Sequence, residues 1–262
     1  MEQILNDLIA EESVVDVLLS GLKEEEWEYC GKEGFWQVSV KDILIHIAFF
    51  DYAAMMLSTG QAPDMASLTD KITMDEEVRI LEYRDWTPEK LMSWWRKNRT
   101  ELCAAMYRKN PKDRVPWAVG LPMSARSIVS ARLMELWAHS VDICSALDRE
   151  VIIPNDNSIS STLFLSWQAR PNAYRINGQE MPDTPLYLEL TMPSGAVWSK
   201  GDPNASNYIR GSARDWALVA IRRLNWMDSD LEVVGEEARR YASLVQTYAG
   251  VAESAPKAKR IR

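Results

Sequence analysis

Arg132-Leu133-Met134-Glu135-Leu136-Trp137-Ala138-His139 is the stretch on which the reading of this chain turns. Leu133, Leu136 and, further on, Ile143 follow helical spacing, and Glu135 and His139 lie four residues apart, on one face of that helix. The chain has two histidines in 262 residues. The other is His46, in the apolar helical run Val40-Lys41-Asp42-Ile43-Leu44-Ile45-His46-Ile47-Ala48. Two imidazoles and a carboxylate can hold a divalent metal and leave coordination positions open, which suits a catalytic centre better than a structural one. Spacing alone is weak support, because a Glu-x-x-x-His pair is commonly a surface pair and a lone histidine on an apolar face is commonly a satisfied core residue. Two features favour ligands. The chain places both of its histidines in apolar helical surface, and a glutamate seldom lies on such a face without a partner.

The same helix carries Arg132, Glu135, His139 and Asp142 as one polar stripe. Asp142 is positioned to orient a ligand imidazole. Arg132 is a candidate to bind a substrate carboxylate, or to pair with Asp142 or Glu135. A row of surface salt bridges is the plain alternative.

Working outward, Ile4, Leu5, Leu8, Ile9, Val15, Leu18, Leu19 and Leu22 mark a first amphipathic helix. Residues 27–37 read as a loop. Ser39, with Asp42 three residues on, opens the helix around His46. Between Gly60 and Asp85 only Met74 to Tyr83 suggests a helix. Thr87-Pro88-Glu89 starts another, which should run to about Lys109 before Asn110-Pro111. Val115 to Pro122 reads as irregular, and Ser124 caps the helix that ends near Leu147. Four such helices joined by loops imply an up-and-down four-helix bundle over residues 1–153.

After Ile153-Pro154-Asn155-Asp156-Asn157 the texture becomes α+β. Ser158 to Ala173 reads as a helix, Leu186 to Thr191 as a strand, Pro193-Ser194-Gly195 as a turn and Ala196 to Ser199 as the returning strand. Ser212 to Leu224 is helical, Leu231 to Val234 a short strand and Glu236 to Tyr248 a closing helix. The smaller domain thus covers residues 154–250. Residues 251–262, with Lys257, Lys259, Arg260 and Arg262, read as a flexible basic tail.

A net charge of -8 argues against nucleic acid as the main partner. Hydrophobic residues make up 47% of the chain, enough for a substantial core, yet no run has the length of a membrane span. Cys30, Cys103 and Cys144 are few and far apart, which fits reduced thiols and a cytoplasmic location. The expected state is a monomer or homodimer acting on a small molecule, with no membrane partner. Most of the eleven tryptophans, among them Trp94, Trp95, Trp137 and Trp216, are expected to fill the core.

Trp36-Gln37-Val38-Ser39-Val40-Lys41-Asp42-Ile43-Leu44-Ile45-His46-Ile47-Ala48 and Arg132 to Ile143 resemble the second-helix and fourth-helix motifs of the DinB-like, mycothiol-dependent maleylpyruvate isomerase family. Pro185 to Gly195 and Gly211-Ser212-Ala213-Arg214-Asp215-Trp216 resemble segments of that family's sterol-carrier-like α+β domain. The resemblance implies that His46, Glu135 and His139 bind zinc or another divalent metal. It also implies that a low-molecular-weight thiol such as mycothiol is the cosubstrate. Family members carry an arginine implicated in activity late in the last domain's helix, where Arg222 and Arg223 fall. The implied enzyme is an isomerase or thiol S-transferase, in which a zinc-activated thiol adds to an activated double bond of an anionic or conjugated substrate. Arg132 and Arg222 or Arg223 would hold its carboxylates. A specialised-metabolism enzyme catalysing another addition, elimination or cyclisation on the same scaffold stays open, as does a non-catalytic lipid or small-molecule binding protein.

Overall fold

Three hydroxyl side chains set where the long helices begin. Ser39 accepts the Asp42 amide at 3.1 Å, Thr87 accepts that of Lys90 at 3.4 Å, and Ser124 accepts that of Ser127 at 3.1 Å. Each satisfies an amide that the first helical turn leaves without a partner. The computed structural model describes residues 1–75, 78–118 and 121–259, with the backbone alone for Ala118 and Leu121. It divides into two compact units, Met1–Ile152 and Ile153–Arg262.

The first unit contains α1 (Glu2–Ser20), α2 (Val40–Ser58), the short α3 (Ala66–Thr69), α4 (Pro88–Tyr107) and α5 (Ala125–Ala146). α2 packs against both α4 and α5, and α1 against α5. Ile43, Leu44, Ile45 and Ile47 of α2 and Leu133, Trp137 and Ile143 of α5 are fully enclosed, as is Trp95 of α4. Such burial gives each large side chain about 1.5–3 kcal/mol of transfer free energy, and it fixes the helices that carry the two histidines. Trp94 is half-buried in a ring cluster with Tyr52, Tyr83 and Trp86.

Two expectations for this unit are corrected. Residues expected to be irregular form a β-hairpin, β1 (Arg114–Ala118) and β2 (Leu121–Ser124), paired antiparallel with a register shift between Val115 and Ala118. Pro116 and Pro122 obscure the strand pattern, but a two-stranded ribbon has free edges where a missing amide donor is tolerated. The expected helix from Met74 to Tyr83 is, among its described residues, a bridge between Met74 and Ile80 followed by a short 3-10 turn, Leu81–Tyr83. Asp75 takes the Arg79 amide at 2.9 Å and its Nε at 2.7 Å, and Val78 adopts a left-handed φ of 59°. Glu76 and Glu77 lie outside the described residues.

The second unit contains α6 (Asn157–Gln168), α7 (Arg170–Ile176), β3 (Leu186–Thr191), β4 (Val197–Gly201), β5 (Asn207–Ser212), α8 (Ala213–Ala220), β6 (Glu232–Val234) and α9 (Glu236–Leu244). The sheet order is β4-β3-β5-β6, with β3 and β5 parallel and the other pairs antiparallel. Trp216 and Tyr241 are fully buried; Trp216 donates Nε1–H to Ser166 Oγ at 2.9 Å and the Tyr241 hydroxyl donates to the Ser166 carbonyl. β5 was not expected, because Asn207, Arg210 and Gly211 interrupt its apolar alternation. The helix expected from Ser158 to Ala173 divides at Ala169, two residues before Pro171, which lacks an amide donor.

α8 ends at Ala220, earlier than expected. Arg222 N–H returns to Val219 O and Arg223 N–H to Leu218 O, which is a Schellman closure. Arg222 holds its left-handed position, usually a glycine, with φ 62°. The chain beyond Leu244 also departs from expectation. α9 stops there, and residues expected to form a flexible tail are hydrogen-bonded to the unit. The Arg222 guanidinium donates Nε–H and Nη2–H to the Glu253 carbonyl at 2.9 and 2.6 Å and Nη1–H to the Ser243 carbonyl at 2.9 Å. Asn225 Nδ2 reaches the Pro256 carbonyl at 2.8 Å, and the Lys259 amide donates to Asp228 Oδ1 at 2.9 Å. The basic residues Arg260 and Arg262 lie outside the described residues.

Candidate functional site

α2 presents His46 and α5 presents Glu135 and His139 one turn apart, and the packing of these two helices brings the three side chains together. One donor atom from each lies within 4.8 Å of the others. Among the described residues this is the one group of three or more histidine, cysteine or acidic side chains close enough to hold a metal ion. His139 is buried, and His46 and Glu135 are half-buried. Half-burial of two members leaves the group reachable from outside the first unit's core.

The hydrogen bonds fix which atoms face inward. His139 Nδ1 lies 3.2 Å from Asp142 Oδ2, and the other Asp142 oxygen accepts the Trp36 amide at 3.1 Å. A carboxylate only accepts, so the neutral His139 ring carries its hydrogen on Nδ1 and turns its Nε2 lone pair toward Glu135, 3.4 Å from Oε2. Neither that Nε2 nor His46 Nδ1 makes a hydrogen bond, although both atoms are buried. Two enclosed, unpartnered imidazole nitrogens beside a carboxylate oxygen are a costly arrangement unless a cation completes it. The donor set of two nitrogens and one oxygen fits zinc or a similar divalent metal.

The electrostatics favour a cation as well. Burial, reinforced by the neighbouring His139, holds the His46 imidazole down to about 3, so it stays neutral with a lone pair available. Burial works to raise the Glu135 carboxyl, but the close His139 imidazole, with help from Arg132 and His46, outweighs it and holds the group down to about 2. Burial also opposes charging of His139, yet Asp142 and Glu135 together raise its pKa. The group thus concentrates negative charge around a point between the two rings.

The remaining expected residues divide by place. Asp142 Oδ2 lies against His139 Nδ1. Arg132 pairs with neither Glu135 nor Asp142. Its Nε instead donates to Asp51 Oδ1 at 2.8 Å and its Nη2 to the Ile47 carbonyl at 3.3 Å. Trp95 Nε1–H adds a bond to the second Asp51 oxygen at 2.9 Å. Arg222 and Arg223 belong to the second unit.

No sequence motif marks the rings beside the two histidines. The Trp36 ring meets the His46 ring with centroids 5.0 Å apart and the His139 ring at 5.1 Å; Phe50 lies 4.6 Å from His46. Phe50 stands four residues after His46, a spacing that could have marked it as a ring on the same face of α2.

The sequence profile described as the Mycothiol maleylpyruvate isomerase N-terminal domain matches residues 11–144. Two uncharacterised proteins of Mycobacterium tuberculosis, from different strains, are each 30% identical over 247 residues, covering 93% of this chain and 94% of theirs. Among solved structures, mycothiol-dependent maleylpyruvate isomerase superposes with a TM-score of 0.56 at 16% identity. A histidine-to-alanine mutant of it superposes with a TM-score of 0.57 at 17% identity. Each match covers 85% of this chain and 89% of the solved one, and at such identity the likeness speaks for the fold. With a domain match over half its length and relatives aligned along nearly all of it, the chain belongs to the mycothiol maleylpyruvate isomerase N-terminal domain family.

Proposed function

We propose that this protein is a metal-dependent enzyme in which a low-molecular-weight thiol, such as mycothiol, adds to an activated double bond of a small-molecule substrate. The observation that carries this reading is the convergence of His46, Glu135 and His139 within a domain of this family. A bound zinc or similar ion would supply a Lewis acid that favours thiolate over thiol at neutral pH. His46 and His139 would hold it through imidazole nitrogen and Glu135 through a carboxylate oxygen. Asp142 acts through His139 as a positioning residue, keeping the hydrogen on Nδ1 and so the lone pair on Nε2. Trp36, seated against both rings, limits their exposure to water.

In the addition, an S–C bond forms at the β carbon and the π pair moves onto the conjugated carbonyl oxygen. Rotation about the resulting single bond, then loss of the same thiol, gives a cis–trans isomerisation that consumes nothing. Return of the thiol's proton to the α carbon, with the adduct retained, gives an S-transferase. The free thiols Cys30, Cys103 and Cys144 support a reducing compartment, and the cytoplasm is the proposed location. No helix among the described residues is long and apolar enough to cross a membrane.

Thiol-dependent turnover of an activated olefin tests this reading. His46→Ala removes one of three ligands, so activity is expected to fall about a hundred- to a thousandfold, the scale of losing one group that stabilises developing charge. A fully active His46→Ala protein would refute the reading.

A further inference from the structure

The proposed thiol chemistry leaves the electrophile open, and the surroundings of His46, Glu135 and His139 bear on it; the inference rests on that reading. Rings line the group on several sides. Trp36 meets the His46 ring at an interplanar angle of 76°, Phe50 lies 4.6 Å from His46, and Trp117 of β1 lies 6.4 Å from Phe50. All three are half-buried, so a continuous run of ring surface borders the ligands and stays partly open.

The arginines suited to a substrate carboxylate are committed elsewhere. Arg132 is 3% exposed and bound to Asp51 and the Ile47 carbonyl. Arg222 directs three guanidinium donors to the Glu253 and Ser243 carbonyls, and Arg223 donates Nη1–H to Ile221 O at 3.2 Å. The carboxylates Glu135 and Asp142 lie against His139, and the cation near them, Arg132, is held by Asp51. Even with a divalent ion bound, Glu135 and Asp142 offset its charge, and none of these three arginines is available to hold a dianion's carboxylates. A flat, uncharged molecule instead gains ring contact and carries no charge to desolvate.

We propose that this centre takes an uncharged, planar, conjugated electrophile, an α,β-unsaturated carbonyl compound stacked among Trp36, Phe50 and Trp117, and not a dicarboxylate. Calorimetric titration of the purified full chain tests this, with coumarin as the neutral planar probe and maleate as the dianion. The metal content of the same sample is measured alongside. Coumarin is expected to bind saturably and maleate to give no saturable heat. Trp117→Ala is expected to weaken coumarin about tenfold, and Trp117→Leu, which keeps an apolar side chain in place, to do the same. Maleate binding as tightly as coumarin, or coumarin binding that neither variant changes, overturns the proposal. A metal-loaded, thiol-consuming chain that prefers maleate refutes this inference and leaves the thiol reading standing. A chain that binds coumarin through Trp117 but retains no metal supports this inference and refutes that reading.

Discussion

Glu12 shows how a single carboxyl group can govern the first unit's response to pH. It is 5% exposed, and its Oε1 lies 3.9 Å from the Cys103 thiol. Burial, with repulsion from Asp51, pushes its pKa up to about 8 despite the opposing pull of Arg99 and Arg132. A carboxyl whose folded pKa lies above its unfolded value stabilises the fold fully below the unfolded value, 4.5, and that contribution is lost as pH rises toward 8. The protein should therefore lose about 4 kcal/mol of stability between about pH 5 and about pH 8 from this group. Glu12→Gln, neutral at every pH, should remove that slope. Urea midpoints measured across this range check it, and a slope unchanged in the variant contradicts it. At the same scale, the candidate ligands were legible because histidine is so scarce here that its two positions stand out. Arg132 was legible as a functional candidate but not as the partner of Asp51. The two lie 81 positions apart, and no local pattern brings them together.

At the scale of elements, the Asp51–Arg132 pair ties α2 to α5 next to the histidines those helices carry. Asp51 oxygens receive Arg132 Nε and Trp95 Nε1, both buried, so removing the carboxylate leaves an enclosed cation without its partner. Asp51→Ala is expected to destabilise the protein by about 3–5 kcal/mol. A thermal or urea unfolding curve checks this, and a loss below about 1 kcal/mol would mean the pair is far more solvated than its burial implies. The long helices were readable from their caps and apolar period because each carries its own local signal. β5 was not readable. It pairs with β3 in parallel register, Leu188 beside Ile209, so its partner lies well away in sequence. Gly211 and Arg210 also remove the alternation that marks a strand. The close of α8 was hidden for a similar reason: Arg222 occupies a left-handed position where a glycine would have announced the stop.

Over the whole molecule, the order of elements was legible, a helical first half followed by an α+β second half, because hydrophobic period changes from about 3.6 to about 2 between them. Less legible was everything that depends on tertiary contact, including the ring wall from Trp36 to Trp117 and the fastening of residues 251–259 to Arg222, Asn225 and Asp228. The proposed divalent metal between α2 and α5 is tested most directly by elemental analysis of the protein after dialysis against a metal-free buffer, with His139→Ala treated identically. One equivalent of zinc or a similar divalent ion per chain is expected, lost in the variant. A native chain that retains no metal even after incubation with zinc, or a variant that retains as much as the native chain, would contradict it.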